Sequence, residues 1–233
     1  FAPRLVANWK FDSAQTLRFG YSEAFRTPSL FEQRSDWRFV YAGQTIDIRY
    51  LSRGGLRPER VKVAEVSYLG DFRRLGWSVG ARVFHERVSN LITQQRYSLP
   101  PGQEFDPSSG AFDLRNAGQA TLTGVEYQVR WRPTSQQTWI LGHYMTRRTA
   151  SEAYLVDSIP SWSVHLMGIV RLGADQTASI FYGATSPVRW IGETNAVPRQ
   201  QRLDLRFEQA FRAGDTRGAV ALIGQNLLGS QTE

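Results

Sequence analysis

Ten stretches of alternating apolar and polar residues, joined by connectors that are short, then long, then short again, constrain this chain more than any other feature. In the stretch from Gly124 to Arg132 one face carries Val125, Tyr127, Val129 and Trp131, while the other carries Glu126, Gln128, Arg130 and Arg132. Leu203, Leu205 and Phe207 alternate with Arg202, Asp204, Arg206 and Glu208; Leu17, Phe19 and Tyr21 alternate with Arg18, Gly20 and Ser22. Trp162, Val164, Leu166, Val170 and Leu172 oppose Ser163, His165 and Arg171. A period of two places successive side chains on opposite faces, so these stretches are strands with one apolar face and one charged face that meets water.

The short connectors run over residues 12–15, 70–76, 133–137, 173–176 and 212–218, and all but the second are rich in turn-forming residues. The long ones run over 26–60, 90–120, 147–160 and 186–200. Strict alternation of this kind is the mark of a bacterial outer-membrane barrel, with short periplasmic turns and long extracellular loops. A soluble sandwich mixes the two lengths. Trp9, Trp77, Trp131 and Trp139 lie close to short connectors and are expected to form part of the periplasmic aromatic girdle, with Trp162 just after a long connector. Not every strand is clean: Ile140 and Tyr144 oppose Trp139 and Leu141, so the strand around Trp139 is ambiguous by pattern.

Apolar residues make up 41% of the 233, mean hydropathy is -0.38, and no run approaches the roughly 20 apolar residues of a membrane-spanning helix. A barrel strand needs only about 9–11 residues, every second one apolar. There are no cysteines, which excludes disulfides and thiolate metal sites and leaves compartment open. A net charge of +7 admits nucleic acid, anionic lipid or an anionic ligand as partner. The arginines are scattered over alternate strand positions and loops with no single basic run, so nucleic acid is not expected.

No catalytic constellation is present. His85, His143 and His165 are far apart, no His-Glu-x-x-His, Gly-x-Ser-x-Gly or phosphate-cradling loop occurs, and neither metal nor cofactor is expected. His165 falls on the polar face of its strand. Candidate ligand contacts lie in the long connectors, where Trp37, Arg38, Tyr41, Arg49, Tyr50, Arg53, Arg189 and Trp190 combine guanidinium groups with aromatic rings. The same residues could instead pack the loops or meet lipopolysaccharide phosphates.

Ser22-Glu23-Ala24-Phe25-Arg26-Thr27-Pro28-Ser29-Leu30-Phe31-Glu32 resembles a stretch characteristic of TonB-dependent outer-membrane receptors, where a strand enters an extracellular loop. Leu56-Arg57-Pro58-Glu59 followed by Glu65, Tyr68 and Gly70 is similar to that family's Leu-x-Pro-Glu element. Phe84, Asn90-Leu91-Ile92, then Asn116, Gly118, Ala120, Gly124, Val125 and Glu126, and finally Asn226-Leu227-Leu228 follow in the family's order. Pro28 and Pro58 also mark, on physical grounds, where strand pairing stops. Gly118 and Gly124 permit a bulge or a close approach. Arg26, Glu59 and Glu126 are candidates for a rim or lumen network.

The resemblance implies an all-β, antiparallel transmembrane barrel of 22 strands closed by a plug domain. Residues 1–233 would be about ten strands of its C-terminal half, without the plug and the final strand. It further implies a bacterial outer-membrane transporter that takes up a scarce ligand such as a ferric siderophore, driven through TonB, with outer-membrane lipid and lipopolysaccharide around it. Two other classes share parts of the pattern: a passive porin with an open lumen, and a soluble β carbohydrate-binding module with Trp37 and Trp190 as stacking platforms.

Overall fold

The computed structural model describes residues 2–97, 111–190 and 195–229. In chain order the elements are β1 (Arg4–Lys10), β2 (Gln15–Arg26), a short helix α1 (Leu30–Arg34), β3 (Asp36–Tyr41), β4 (Gln44–Leu51), β5 (Glu59–Phe72), β6 (Trp77–Tyr97), β7 (Ala111–Trp131), β8 (Gln137–Ala150), α2 (Tyr154–Asp157), β9 (Trp162–Arg171), β10 (Gln176–Thr185), β11 (Val188–Arg189), β12 (Ala196–Val197), β13 (Gln200–Ala213) and β14 (Thr216–Gly224). Ten of these form one antiparallel wall in the order β1-β2-β5-β6-β7-β8-β9-β10-β13-β14. The wall is the expected ten-stranded meander. It is open, since β1 and β14 do not pair among the described residues.

Register assigns every side chain to a face, because directly opposed residues point the same way. Trp77 opposes Phe72 and Trp131, and Trp131 opposes Trp139. Following these pairs puts Leu17, Phe19, Val66, Tyr68, Val79, Val83, Val125, Tyr127, Leu141, Met145, Leu166, Ile180, Leu205, Phe207 and Leu222 on one face. The opposite face carries Arg18, Glu65, Arg82, Glu126, Arg130, His165, Arg202 and Arg206. The first face suits lipid and the second an aqueous lumen. The ambiguous strand β8 is resolved by its neighbours: Trp139, Leu141, His143 and Met145 face outward, Ile140, Gly142, Tyr144 and Thr146 inward. At the short-connector end Trp77 and Trp131 stack on the outward face with ring centroids 5.1 Å apart.

Connector lengths alternate as expected, but several boundaries differ. The stretch 90–120 is not a connector throughout: β6 continues to Tyr97 and β7 starts at Ala111. Beyond a bulge between Val88 and Ile92, where Asn90 takes a left-handed φ of 57°, residues 91–97 still pair with 111–118. Both faces there lie beyond the apolar band, so the backbone ladder persists while the alternation that would reveal it disappears. For the same reason β8 reaches Ala150, inside the stretch read as a loop from Arg147. Conversely, β14 ends at Gly224, earlier than the expected Leu228.

Connector 26–60 holds structure of its own. Ser29 caps α1 in a capping box with Glu32, and β3 and β4 form a hairpin over Ala42-Gly43, both at positive φ (48° and 79°). The hairpin leans on the raised tops of β6 and β7: Ile48 and Ala111 are buried together, with Leu51 and Tyr97 packed against them. No helix among the described residues is long and apolar enough to cross a membrane.

Candidate functional site at the long-loop end

Segments far apart in sequence meet at the long-loop end of the wall. Strand β2 delivers Arg26 beside Glu59, the first residue of β5. The guanidinium reaches Glu59 with Nε (2.5 Å) and Nη2 (2.7 Å), and Glu32 of α1 with Nη1 (3.0 Å) and Nη2 (2.9 Å). Glu59, only 8% exposed, also accepts a hydrogen bond from the Ile92 N–H at 2.9 Å, which ties in the bulge of β6. The two carboxylates hold Arg26 above its ordinary pKa. Hydrogen bonding to Arg26 lowers Glu32. Burial alone pushes Glu59 up, but Arg26 and the Ile92 N–H outweigh it and leave it below the ordinary carboxylate value.

Asn116 completes the knot. Its side chain accepts from the Arg57 N–H (2.7 Å) and donates to the carbonyls of Arg57 (2.8 Å) and Asn90 (2.7 Å), so it clamps the segment before Pro58 onto the bulge. Substituting Asn116→Ala orphans one donor and two acceptors, and we expect about 1–3 kcal/mol of destabilisation. Thermal unfolding of the parent receptor in detergent checks this.

The proposed ligand residues separate into two groups. Trp37 and Tyr50, opposite each other on β3 and β4, lie nearly parallel (13°) with centroids 5.9 Å apart. Phe31 meets Tyr50 edge-on at 5.2 Å, Phe39 lies 6.1 Å from Trp37, and Phe112 lies 5.9 Å from Tyr50. Arg53 sits 4.1 Å above the Tyr97 ring, and its backbone N–H donates to Asp113. Arg38 pairs with Asp36 at 2.5 Å. Arg49 is exposed on β4, and Tyr41, 74% exposed, precedes the hairpin turn. Arg189 lies on the β11–β12 ribbon, a sheet separate from the one that holds the hairpin, and Trp190 follows directly after it.

Phe31, Tyr97, Phe112 and Asp113 belong to the aromatic-cationic cluster although alternation did not single them out. Only the Ser29-x-x-Glu32 capping signature could have fixed the position of Phe31. The last three lie where β6 and β7 extend beyond the apolar band.

On the lumen face Arg82 lies 2.7 Å from Glu65, 3.1 Å from Glu126 and 3.5 Å from Glu86, so Glu126 does belong to an ionic network. His165 faces the lumen over Gly142, where a Cβ would collide with the imidazole. His85 and His143 lie on the outward face, the first bonded to Thr123 (2.8 Å), the second against Tyr127 (5.3 Å). The three histidines do not converge.

The family model for the TonB dependent receptor-like beta-barrel matches residues 1–227. The chain belongs to this family. Its fold matches the ferric enterobactin receptor PfeA of Pseudomonas aeruginosa, solved as a mutant with enterobactin, at a TM-score of 0.72 and 14% identity over 98% of this chain and 35% of that one. It also matches the ferric-catecholate import receptor Fiu of E. coli (TM-score 0.67, 13% identity, 97% and 30%) and the copper transporter OprC (0.66, 14%, 97% and 33%). At these identities the likeness establishes the fold. The chain spans about a third of the length of these solved receptors. No curated protein sequence matches it. In this TonB-dependent receptor-like barrel, the segments that resemble the family's motifs at 22–32, 56–59, 90–92 and 116–120 are those that meet in the rim knot of Arg26, Glu32, Glu59, the Ile92 N–H and Asn116.

Proposed function

We propose that this chain is wall and loop of a bacterial outer-membrane receptor that imports an anionic iron chelate such as a ferric siderophore, with energy delivered through TonB to a plug encoded outside residues 1–233. It is neither an enzyme nor a nucleic-acid binder. The observation that carries the ligand class is the hairpin cluster: parallel Trp37 and Tyr50 rings with Phe31 at their edge, and Arg38, Arg49 and Arg53 nearby. Flat, negatively charged chelates are held by such faces through stacking and charge. The rim knot fixes the base of the connector that carries them. Tyr41, Arg189 and Trp190 are secondary contacts from outside the cluster.

Binding of a ferric catecholate to the purified parent receptor tests the site. The pair Trp37→Ala and Tyr50→Ala should weaken it about tenfold, or ~1.4 kcal/mol, and Trp190→Ala less. Unchanged affinity in the double variant would remove the hairpin from the site. Uptake that continues at full rate in cells lacking TonB would favour a passive channel.

A further inference from the structure

We propose that the outward face of β7 and β8 is the docking surface for a second copy of the receptor, which pairs across a two-fold axis through the side chains of Tyr127 and His143. The inference rests on the reading of this face as lipid-facing and goes beyond it, because it assigns a protein partner to one strip of the wall.

Register places the two side chains. Tyr127 and His143 stand directly opposite each other on β7 and β8, and both point outward with Val125, Trp131, Leu141 and Met145. His143 lies four residues from Trp139, at the short-connector end, and four from Arg147, the first outward charge of β8. Four residues of strand span about 14 Å, or about 10 Å of depth at the usual tilt of a barrel strand, inside an apolar band about 25 Å tall. The imidazole therefore sits near mid-band, away from water at either end of the wall.

Nothing within the wall completes either group. The two rings lie 5.3 Å apart between centroids with planes tilted by 59°, and neither the phenol nor the imidazole has a hydrogen-bond partner among the described residues. On the same face His143 has Val164 opposite it and Val125, Val129, Trp162 and Leu166 diagonally, none of which bonds to it. His85, the other outward histidine, differs on both counts: its Nδ1 is bonded to Thr123 at 2.8 Å, and it stands two residues from Arg87 at the charged edge of the band. A polar group left unpaired in hydrocarbon is costly, and lipid tails have nothing to offer it.

A second copy brings what is missing at the right depth. A two-fold axis along the membrane normal, running between β7 and β8, keeps every residue at its own depth and sets Tyr127 of each copy against His143 of the other. Imidazole and phenol each carry one donor and one acceptor, so the four groups can satisfy one another. The same operation sets Ala81, which opposes Tyr127 on β6, against Val164, which opposes His143 on β9, so a small residue meets a branched one on each side. Two convex walls touch only along a narrow strip, and β7 and β8 supply it. An unrelated membrane segment would need its own donor and acceptor at this depth, whereas a second copy carries them by symmetry. Between apolar surfaces in lipid there is no hydrophobic drive, so packing and these hydrogen bonds decide the association.

The test measures self-association of the full parent receptor, by sedimentation equilibrium in detergent and by energy transfer between two labelled populations mixed in lipid vesicles. Wild type should form a dimer. Tyr127→Phe removes both symmetry-related hydrogen bonds and should weaken dimerisation about tenfold. His143→Leu should do the same, and the double variant should lose no more than either alone, because each substitution already breaks both bonds. His85→Leu should leave the dimer unchanged. Should His143→Leu fail to fold, judged by heat-modifiable mobility, Tyr127→Phe carries the test, since it deletes one oxygen and keeps the ring. A receptor that stays monomeric in both media overturns the proposal, as does a dimer that both variants leave intact. A different membrane protein held by wild type and lost in Tyr127→Phe would assign the strip to that partner and overturn the self-pairing. A parent receptor that fractionates as a soluble protein would instead overturn the lipid-facing reading.

Discussion

Replacing Arg26 by alanine should lower the stability of the parent receptor by about 2 kcal/mol, loosen the 27–58 connector and weaken ligand binding together. Removing one partner of a buried ion pair costs roughly 3–5 kcal/mol, because the remaining charge keeps its desolvation penalty without its counterion. Arg26 is half exposed at its side chain and Glu59 only 10%, so water compensates part of that loss. Two carboxylates, Glu59 and Glu32, would then share one rim position with no cation between them. Lysine should not rescue, since an ammonium cannot fork to both carboxylates as the guanidinium does. Glu59→Gln should cost less, because glutamine still accepts from the Ile92 N–H and leaves no buried charge behind. Combining it with Arg26→Ala should recover part of the loss.

pH offers an independent readout. Glu59 and Glu32 are lowered in the folded state, so their contribution is complete above the ordinary 4.5 and is lost as pH falls through the lowered values. The stability difference between wild type and Arg26→Ala should therefore shrink on acidification and stay constant across neutral pH. A difference independent of pH would show that Arg26 acts through packing and not through charge.

The sequence disclosed the wall better than the rim, for a physical reason. Within the apolar band, every residue of a strand must choose lipid or water, so Gly124 to Arg132 states its faces in its own alphabet and the strand count of ten follows. Above the band both faces are wet. Leu91, Ile92, Thr93 and Gln94 stay paired while showing no period, and the pattern reads them as loop. The hairpin of β3 and β4 was hidden likewise, with Ala42-Gly43 a weak turn signal beside Asn-Gly. Arg26 and Glu59 were legible as partners through the resemblance of their flanks. Nothing local to Asn116 showed that its amide would clamp Arg57, because that contact spans 59 residues of chain. The ligand residues were half legible: composition picked Trp37 and Tyr50, but only folding shows that Trp190 is elsewhere.

Gly124→Val should abolish assembly of the barrel, and Gly124→Ala should already destabilise it by about 2 kcal/mol. Gly124 faces the lumen opposite Phe84, and the Phe84 ring lies across it, 4% exposed, stacked on Tyr144 at 6.1 Å and covered by the Arg82 guanidinium at 4.9 Å. A Cβ at Gly124 would stand 2.5 Å from the Met145 carbonyl oxygen and 2.6 Å from Phe84 Cζ. The ring could swing away only by giving up Tyr144 and Arg82. Met145 cannot move without disturbing the β7–β8 ladder, since it pairs directly with Val125. Overpacking of a relaxed core costs about 1–3 kcal/mol, and contact with the backbone itself puts even alanine within that range and a β-branched residue beyond it. Gly80→Ala is the matched control: it lies on the same lumen face, its added Cβ would meet only Leu69 Cδ2 at 3.6 Å, and it should be nearly neutral. The measurement is the folded fraction of each parent receptor, read as heat-modifiable mobility after membrane extraction. If Gly124→Ala and Gly80→Ala assemble equally well, the close approach of Phe84 to strand β7 is not what this position requires of glycine.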